Sequence, residues 1–298
     1  MRRLRQIVLV IRVVLFVFAW LAVGACSRPV TTMADSPKGT VSFQTLTLSE
    51  SDFWSGIRTG QVTTITGDLL LPRGDGRVPA VILSHGHFGV GAGELWWAHE
   101  FQSQGIAAFV VDSYTGRGIK AGPPESVLSR VGQVYDVYQA LALLATHPRI
   151  DPGRIALMGR SRGGGLTLRA AMSRSLAAQL PHNVDFCAYL PVNPAIWTLE
   201  YAPVSARPIR IFTGSADEAV PISLVRTVAE NLRRSGADIK LFEYAGAHHS
   251  FDNPAAHTLS IVRQDNPTWS YTMLYDPQAH SKMKRDVKEE LDEIFARK

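Results

Sequence analysis

The chain of 298 residues holds only two cysteines, Cys26 and Cys187. That scarcity excludes a disulfide-stapled fold and leaves stability to a hydrophobic core. An excess of one charge is also missing once the first 25 residues are set aside. Four of the 31 basic residues, Arg2, Arg3, Arg5 and Arg12, lie there with no acid among them, leaving 27 basic against 26 acidic residues from Cys26 onward. The basic overall balance therefore gives no argument for a nucleic-acid partner. The apolar run at residues 13–25 is only 13 residues long, too short for a comfortable bilayer span. No internal repeat or long low-complexity linker interrupts the rest. With 46% apolar residues, a chain of this length buries one sizeable core.

What is present begins with three arginines, an apolar run and Val23-Gly24-Ala25-Cys26, the pattern of a bacterial export signal. Small residues at Gly24 and Ala25 before Cys26 resemble the lipobox of bacterial lipoproteins. The resemblance implies a signal peptide over residues 1–25, a lipid on Cys26 that attaches the chain to a membrane, and an exported protein, periplasmic or membrane-anchored. Residues 26–39, rich in Ser, Pro and Thr, read as a flexible tether, and residues 40–298 as the folded domain. Cys187 sits in an apolar strand-like run and reads as a small core residue.

Alternating patterns at residues 41–48 and 63–71 predict two strands joined by a polar, Gly-containing turn, an antiparallel start to a sheet. From residue 78 the strands become short apolar runs of parallel type, at 78–84, 107–112, 154–158, 185–190, 209–213 and 239–244. Helical spacing at 94–103, 131–146, 166–180 and 222–235 falls between most of them, and an amphipathic helix at 282–295 ends the chain. This predicts an α/β fold, a mainly parallel central sheet with helices on both faces and ligand chemistry outside the carboxyl ends of the strands. The gap between residues 190 and 209 is too short for a large cap domain.

The residues at those strand ends form a pattern. Gly159-Arg160-Ser161-Arg162-Gly163 follows the apolar run Ile155-Ala156-Leu157-Met158. G-x-S-x-G at a strand-to-helix turn exposes the serine, and the following helix aims its amides and positive dipole end at a developing oxyanion. A serine hydroxyl needs a base, and the base needs an orienting acid. Asp217 follows one strand, with Glu218 as the neighbouring acid, and His248-His249 follows the next. The chain order Ser, Asp, His is that of α/β-hydrolases. Ser84-His85-Gly86-His87-Phe88 follows an earlier strand and supplies the second oxyanion donor, the amide of His87 or of Phe88, beside that of Arg162.

Gly159-Arg160-Ser161-Arg162-Gly163, Gly214-Ser215-Ala216-Asp217 and His249-Ser250-Phe251 resemble the α/β-hydrolase superfamily and, more narrowly, the dienelactone hydrolase family. Val110-Val111-Asp112-Ser113-Tyr114, Arg117-Gly118, Asp151-Pro152-Gly153-Arg154-Ile155 and Tyr275-Asp276-Pro277 are similar to it as well. The resemblance spans roughly residues 78–295 and implies that His249, before the x-Phe pattern, is the catalytic histidine. Dienelactone hydrolases proper use a cysteine nucleophile. Ser161 points instead to the serine esterases of the wider family, acting on a small-molecule carboxylic ester without a cofactor.

Other readings fit less well. His85, His87, His248 and His249 lack a further closely spaced ligand for zinc, so no metal is expected. The glycines from Gly86 to Gly93 fail the dinucleotide spacing, because Glu94 and Trp96 stand where glycine is required. Arg160 and Arg162 flank the nucleophile. Their plain role is ion pairing, and the sharper one has Arg160, with Phe88 beside it, meeting an anionic group of the substrate. Trp96 and Trp97 read as helix packing, and residues 253–273, with Trp269 and Tyr271, as a partial cover over the site. Acyl transfer or peptide hydrolysis would use the same triad. The competing class is a catalytically inactive binding protein on the same scaffold. Oligomeric state is not encoded in these patterns.

Overall fold

The computed structural model describes residues 39–55, 60–122, 127–172, 184–196, 204–256, 259–262 and 270–297. The export signal, Cys26, nearly all of the tether, Trp269 and residues 173–180 of the helix expected after Ser161 lie outside them. Eight strands form the main sheet: β1 (Gly39–Thr47), β2 (Gln61–Leu70), β3 (Val78–Ser84), β4 (Ala107–Asp112), β5 (Ile150–Arg160), β6 (Ala188–Val192), β7 (Ile209–Gly214) and β8 (Ile239–Tyr244). Their spatial order is β1-β2-β4-β3-β5-β6-β7-β8. β2 is antiparallel to both its neighbours, and from β4 to β8 every pairing is parallel.

Successive side chains on a strand point to opposite faces, so a strand covered on both sides must be apolar at every position. β3, β4 and β5 show why their segments read as unbroken apolar runs. Ala80, Ile82, Phe109, Val111, Ile155 and Leu157 enter one core, whereas Val81, Leu83, Ala108, Val110, Ala156 and Met158 enter the other. β1 lies at the sheet edge and alternates buried with exposed positions over most of its length.

Among the described residues the α-helices are α1 (Glu50–Trp54), α2 (Ala92–Ser103), α3 (Arg130–Leu144), α4 (Arg162–Ala171), α5 (Ile222–Arg234) and α6 (Pro277–Ala296). α3, α4 and α5 contribute to the first core through Val131, Leu166 and Val225. α2 and α6 contribute to the second through Trp97, Phe101, Met283 and Leu291. The last helix starts five residues before the expected 282. Its start is set by a cap, because Asp276 accepts the amides of Gln278 and Ala279 at 2.9 and 3.0 Å and Pro277 occupies the first turn. A cap and an N-terminal proline fix the boundary ahead of the apolar periodicity. Among the described residues no helix is long and apolar enough to cross a membrane.

Candidate active site

Ser161 stands at the junction of β5 and α4, with φ 52° and ψ −114°. A positive φ at serine is strained, on the order of 1–3 kcal/mol, and persists only where the surroundings hold it. Here the Ser161 amide donates to the Val192 carbonyl at 2.9 Å, and the Ser161 carbonyl accepts from the Ala195 and Gly165 amides at 2.9 and 3.0 Å. The turn is so tight that a Cβ at Gly159 would come within 2.2 Å of the Gly163 carbonyl oxygen. One at Gly163 would come within 2.2 Å of the Ser84 carbonyl oxygen. Those contacts explain both glycines of the pentapeptide.

The turn aims the serine at a histidine. Ser161 Oγ lies 2.9 Å from His249 Nε2, and His249 Nδ1 lies 2.7 Å from Asp217 Oδ2. An ionised carboxylate only accepts, so Nδ1 carries the imidazole proton and Nε2 presents its lone pair to the serine hydroxyl. His249 and Asp217 are both nearly fully buried. The other Asp217 oxygen, Oδ1, accepts the Val220 amide at 2.9 Å, so the aspartate fixes its own loop as well as the histidine. The neighbours pair separately. His248 Nδ1 lies 3.2 Å from Glu218 Oε2, which also accepts the Thr272 amide at 3.3 Å. Burial opposes the Glu218 charge, but the His248 and Thr272 bonds hold its carboxyl below the usual range. Thus His249, and not His248, reaches Ser161, and Asp217, and not Glu218, reaches His249.

The loop after β3 closes on the same turn. Gly86 lies against it, since a Cβ there would sit 3.4 Å from the Arg160 carbonyl oxygen and 3.6 Å from Ser161 Cβ. His85 is buried and has both ring nitrogens engaged. Nε2 accepts the Ser113 amide at 3.3 Å, which leaves Nδ1 to donate to the Gly86 carbonyl at 2.8 Å. Burial lowers its pKa, and it serves to shape the loop. His87 and Phe88 follow, their rings edge to face at 5.0 Å, and Phe88 is 51% exposed.

Ser161, His249, His87 and Phe88 line a cleft together with Tyr271 and Met273. The last two belong to a hairpin of β9 (Leu259–Val262) and β10 (Ser270–Met273). The stretch expected as a cover thus places two side chains in the cleft wall. Met273 bridges to the His249 backbone, and the Tyr271 ring stands edge to face on the imidazole at 5.2 Å. Sequence reasoning included Met273 at the end of the expected cover but not the strand that holds it, because a four-residue strand carries too little periodicity to be read.

The two flanking arginines turn away from substrate duty. Arg162 bonds through its side chain to Gln133 Oε1 and the Leu128 carbonyl, and its backbone opens α4 directly after Ser161. The expectation that Arg160 receives a substrate anion is corrected: its guanidinium already holds two carboxylates. Nε and Nη2 donate to Asp252 at 2.7 and 2.8 Å, and Nη1 donates to Glu94 at 3.1 Å. Burial disfavours the charge on Arg160, and Asp252 and Glu94 together more than offset it, holding the guanidinium protonated. A buried cation needs such partners. Burial likewise opposes the Asp252 charge, and Arg160 with the Trp97 indole keeps that carboxyl below its usual range. Neither Asp252 nor Glu94 was legible as a partner, since 92 and 66 residues separate them from Arg160.

Among the described residues no group of three or more His, Cys, Asp or Glu side chains is placed to hold a metal ion. The fold is shared with solved structures. A dienelactone hydrolase-like promiscuous phosphotriesterase from metagenomic libraries aligns with a TM-score of 0.62 at 18% identity, covering 86% of this chain and 99% of that one. A propionate-bound esterase from Thermogutta terrifontis aligns with a TM-score of 0.58 at 22% identity, covering 77% and 89%. In sequence the chain is 26% identical over 229 residues to cutinase est2 of Thermobifida alba, 75% of this chain and 72% of that protein. It is 31% identical over 157 residues to cutinase 2 of Thermobifida cellulosilytica, 52% of this chain and 54% of that one. The profile of the dienelactone hydrolase family matches residues 65–295, a span that takes in the serine turn, the aspartate and histidine loops and the loop after β3, and the chain belongs to that family.

Proposed function

We propose that this chain is a serine hydrolase of small carboxylic esters. The observation that carries the reading is the continuous hydrogen-bonded line from Ser161 Oγ through His249 to Asp217, opening on a cleft. Ser161 Oγ attacks the ester carbonyl carbon while His249 Nε2 takes its proton. The tetrahedral intermediate collapses as His249 returns that proton to the departing alkoxide, leaving an acyl group on Ser161. Water, activated by the same imidazole, then releases the acid and restores the serine. Asp217 holds the tautomer and stabilises the imidazolium that forms in each half-reaction. The amides of Arg162 and of His87 receive the oxyanion, with Phe88 as the alternative to His87. Preorganised donors of this kind are each worth about 3 kcal/mol of barrier. Phe88 also offers an apolar face to the substrate at the cleft.

The names of the relatives support the same chemistry, since cutinases and esterases are ester hydrolases. No step of this mechanism calls for a cofactor. A panel of p-nitrophenyl esters of graded acyl length tests the reading. Turnover that disappears in Ser161→Ala supports it, and the absence of turnover across the panel would overturn it.

The ends of the chain are part of the proposal. Residues 1–25 act as an export signal, Cys26 carries lipid, residues 26–39 form the tether and residues 40–298 the catalytic domain, which places the enzyme outside the cytoplasmic membrane. Incorporation of labelled palmitate into the chain, lost in Cys26→Ala, is the expected result. Equal labelling of both would contradict it.

A further inference from the structure

The cleft that holds Ser161 has one wall of unequal charge. Arg160, Glu94 and Asp252 all line it. Glu94 accepts at both carboxyl oxygens, Oε1 from Arg160 and Oε2 from the Gly91 amide at 3.0 Å. Asp252 also accepts at both, Oδ1 from Arg160 and Oδ2 from Arg160 and from the Trp97 indole at 2.9 Å. Acceptance at every oxygen marks two ionised carboxylates. They face a single guanidinium, which lies so close to the backbone that a Cβ at Gly93 would come within 2.2 Å of its Nη1. One negative charge is left over. No other Lys or Arg is among the described residues lining the cleft. The His249 imidazole is engaged by Ser161 at Nε2 and by Asp217 at Nδ1. Side chains of the triplet are 1–9% exposed, so the surplus charge is poorly hydrated, whereas the cleft between it and a bound ester is open to solvent and to salt.

We infer that the cleft selects against esters carrying a carboxylate and favours uncharged or cationic ones, with Glu94 as the residue that sets the preference. The inference rests on the ester-hydrolase reading and deepens it. The mechanism is Coulomb repulsion between the surplus charge and an anionic acyl terminus. At about 10 Å and an intermediate dielectric it disfavours the anion on the order of 10-fold. Any effect of Glu94 on the oxyanion is common to all esters and cancels in a ratio of substrates.

The experiment compares kcat/KM for p-nitrophenyl pentanoate with that for p-nitrophenyl hemiglutarate, which ends in a carboxylate, on the wild-type chain and on Glu94→Gln. Both are measured at about 10 mM and about 500 mM salt, where screening lengths differ several-fold. The expected result is a deficit for the hemiglutarate on the order of 10-fold in wild type at low salt. High salt should shrink that deficit, and Glu94→Gln should largely remove it. Equal or faster turnover of the hemiglutarate by wild type overturns the proposal, as does a deficit unmoved by salt, which would be one of shape. Should Glu94→Gln fail to fold, the salt dependence of the wild type decides alone. Turnover without discrimination sinks the charge preference and leaves the esterase reading standing, whereas no turnover of either ester sinks both.

Discussion

Arg160 and Asp252 meet as a bidentate pair, at 2.7 and 2.8 Å, that joins the residue before the nucleophile to the third residue after His249. The end of β5 is thereby tied to the loop after β8 that carries His249. Removing one partner of a buried pair leaves an uncompensated charge, at a cost of about 3–5 kcal/mol. Asp252→Ala should therefore lower the unfolding free energy by about that much in urea titrations. A loss below about 1 kcal/mol would assign the pair no structural weight.

Asp217 and Glu218 are adjacent in sequence but serve different histidines. Asp217→Asn should lower kcat by about 10⁴-fold, because the amide no longer fixes the His249 tautomer. Glu218→Gln, acting on the part-exposed His248 and the Thr272 amide, should change kcat by less than about 10-fold. Steady-state kinetics on the two variants separate these roles. Equal losses would mean that the two acids share one function.

His85 and His280 are both buried, and burial lowers the pKa of each. The unfolded chain takes up their protons below about pH 6.5, whereas the folded chain resists doing so. Stability should thus fall as pH drops below about 6.5, by up to about 1.4 kcal/mol per pH unit for each histidine until its folded pKa is reached. Asp252 acts in the same direction but in a more acidic window. Its depressed pKa contributes stability throughout the histidine window, lost only under stronger acid. Urea midpoints at about pH 7.5 and about pH 5.5 measure the slope, which should be shallower in His280→Phe than in wild type. His280 packs on Trp96 at 4.1 Å, so a phenyl ring suits its place. An identical slope in both chains would refute the assignment.

Burial raises the Cys187 thiol to about 12, far from its ordinary range. The thiolate, which is the reactive form, is correspondingly scarce. In a Cys26→Ser chain, an aromatic disulfide reagent at about pH 8 should label native Cys187 on the order of 10³-fold more slowly than the urea-unfolded thiol. Comparable rates would place the sulfur in contact with solvent.

Much of the fold was legible because burial on both faces writes itself into composition. β3 and β4 match the expected boundaries residue for residue, since their apolar runs end where polar loops begin, and the part-exposed edge strand β8 keeps its expected bounds as well. Ser161, Asp217 and His249 were legible because each sits at a strand's carboxyl end in a fixed order. What escaped detection depends mostly on non-local pairing, with one local exception. The capped start of α6 is a local signal that periodicity outweighed. The β9–β10 hairpin is too short for a pattern, and the fate of Arg160 hinged on carboxylates that only the folded chain brings to it. A charge beside a nucleophile reads as a substrate contact until its partners are known.

The most direct test is covalent. A fluorophosphonate should add once per chain, at Ser161, as read by intact mass and peptide mapping. Ser161→Ala should lose the label and show kcat reduced on the order of 10⁴- to 10⁶-fold, with an unchanged circular dichroism spectrum. Label on another residue, or a folded Ser161→Ala chain that still turns over esters at the wild-type rate, would contradict a hydrolase built on Ser161, His249 and Asp217.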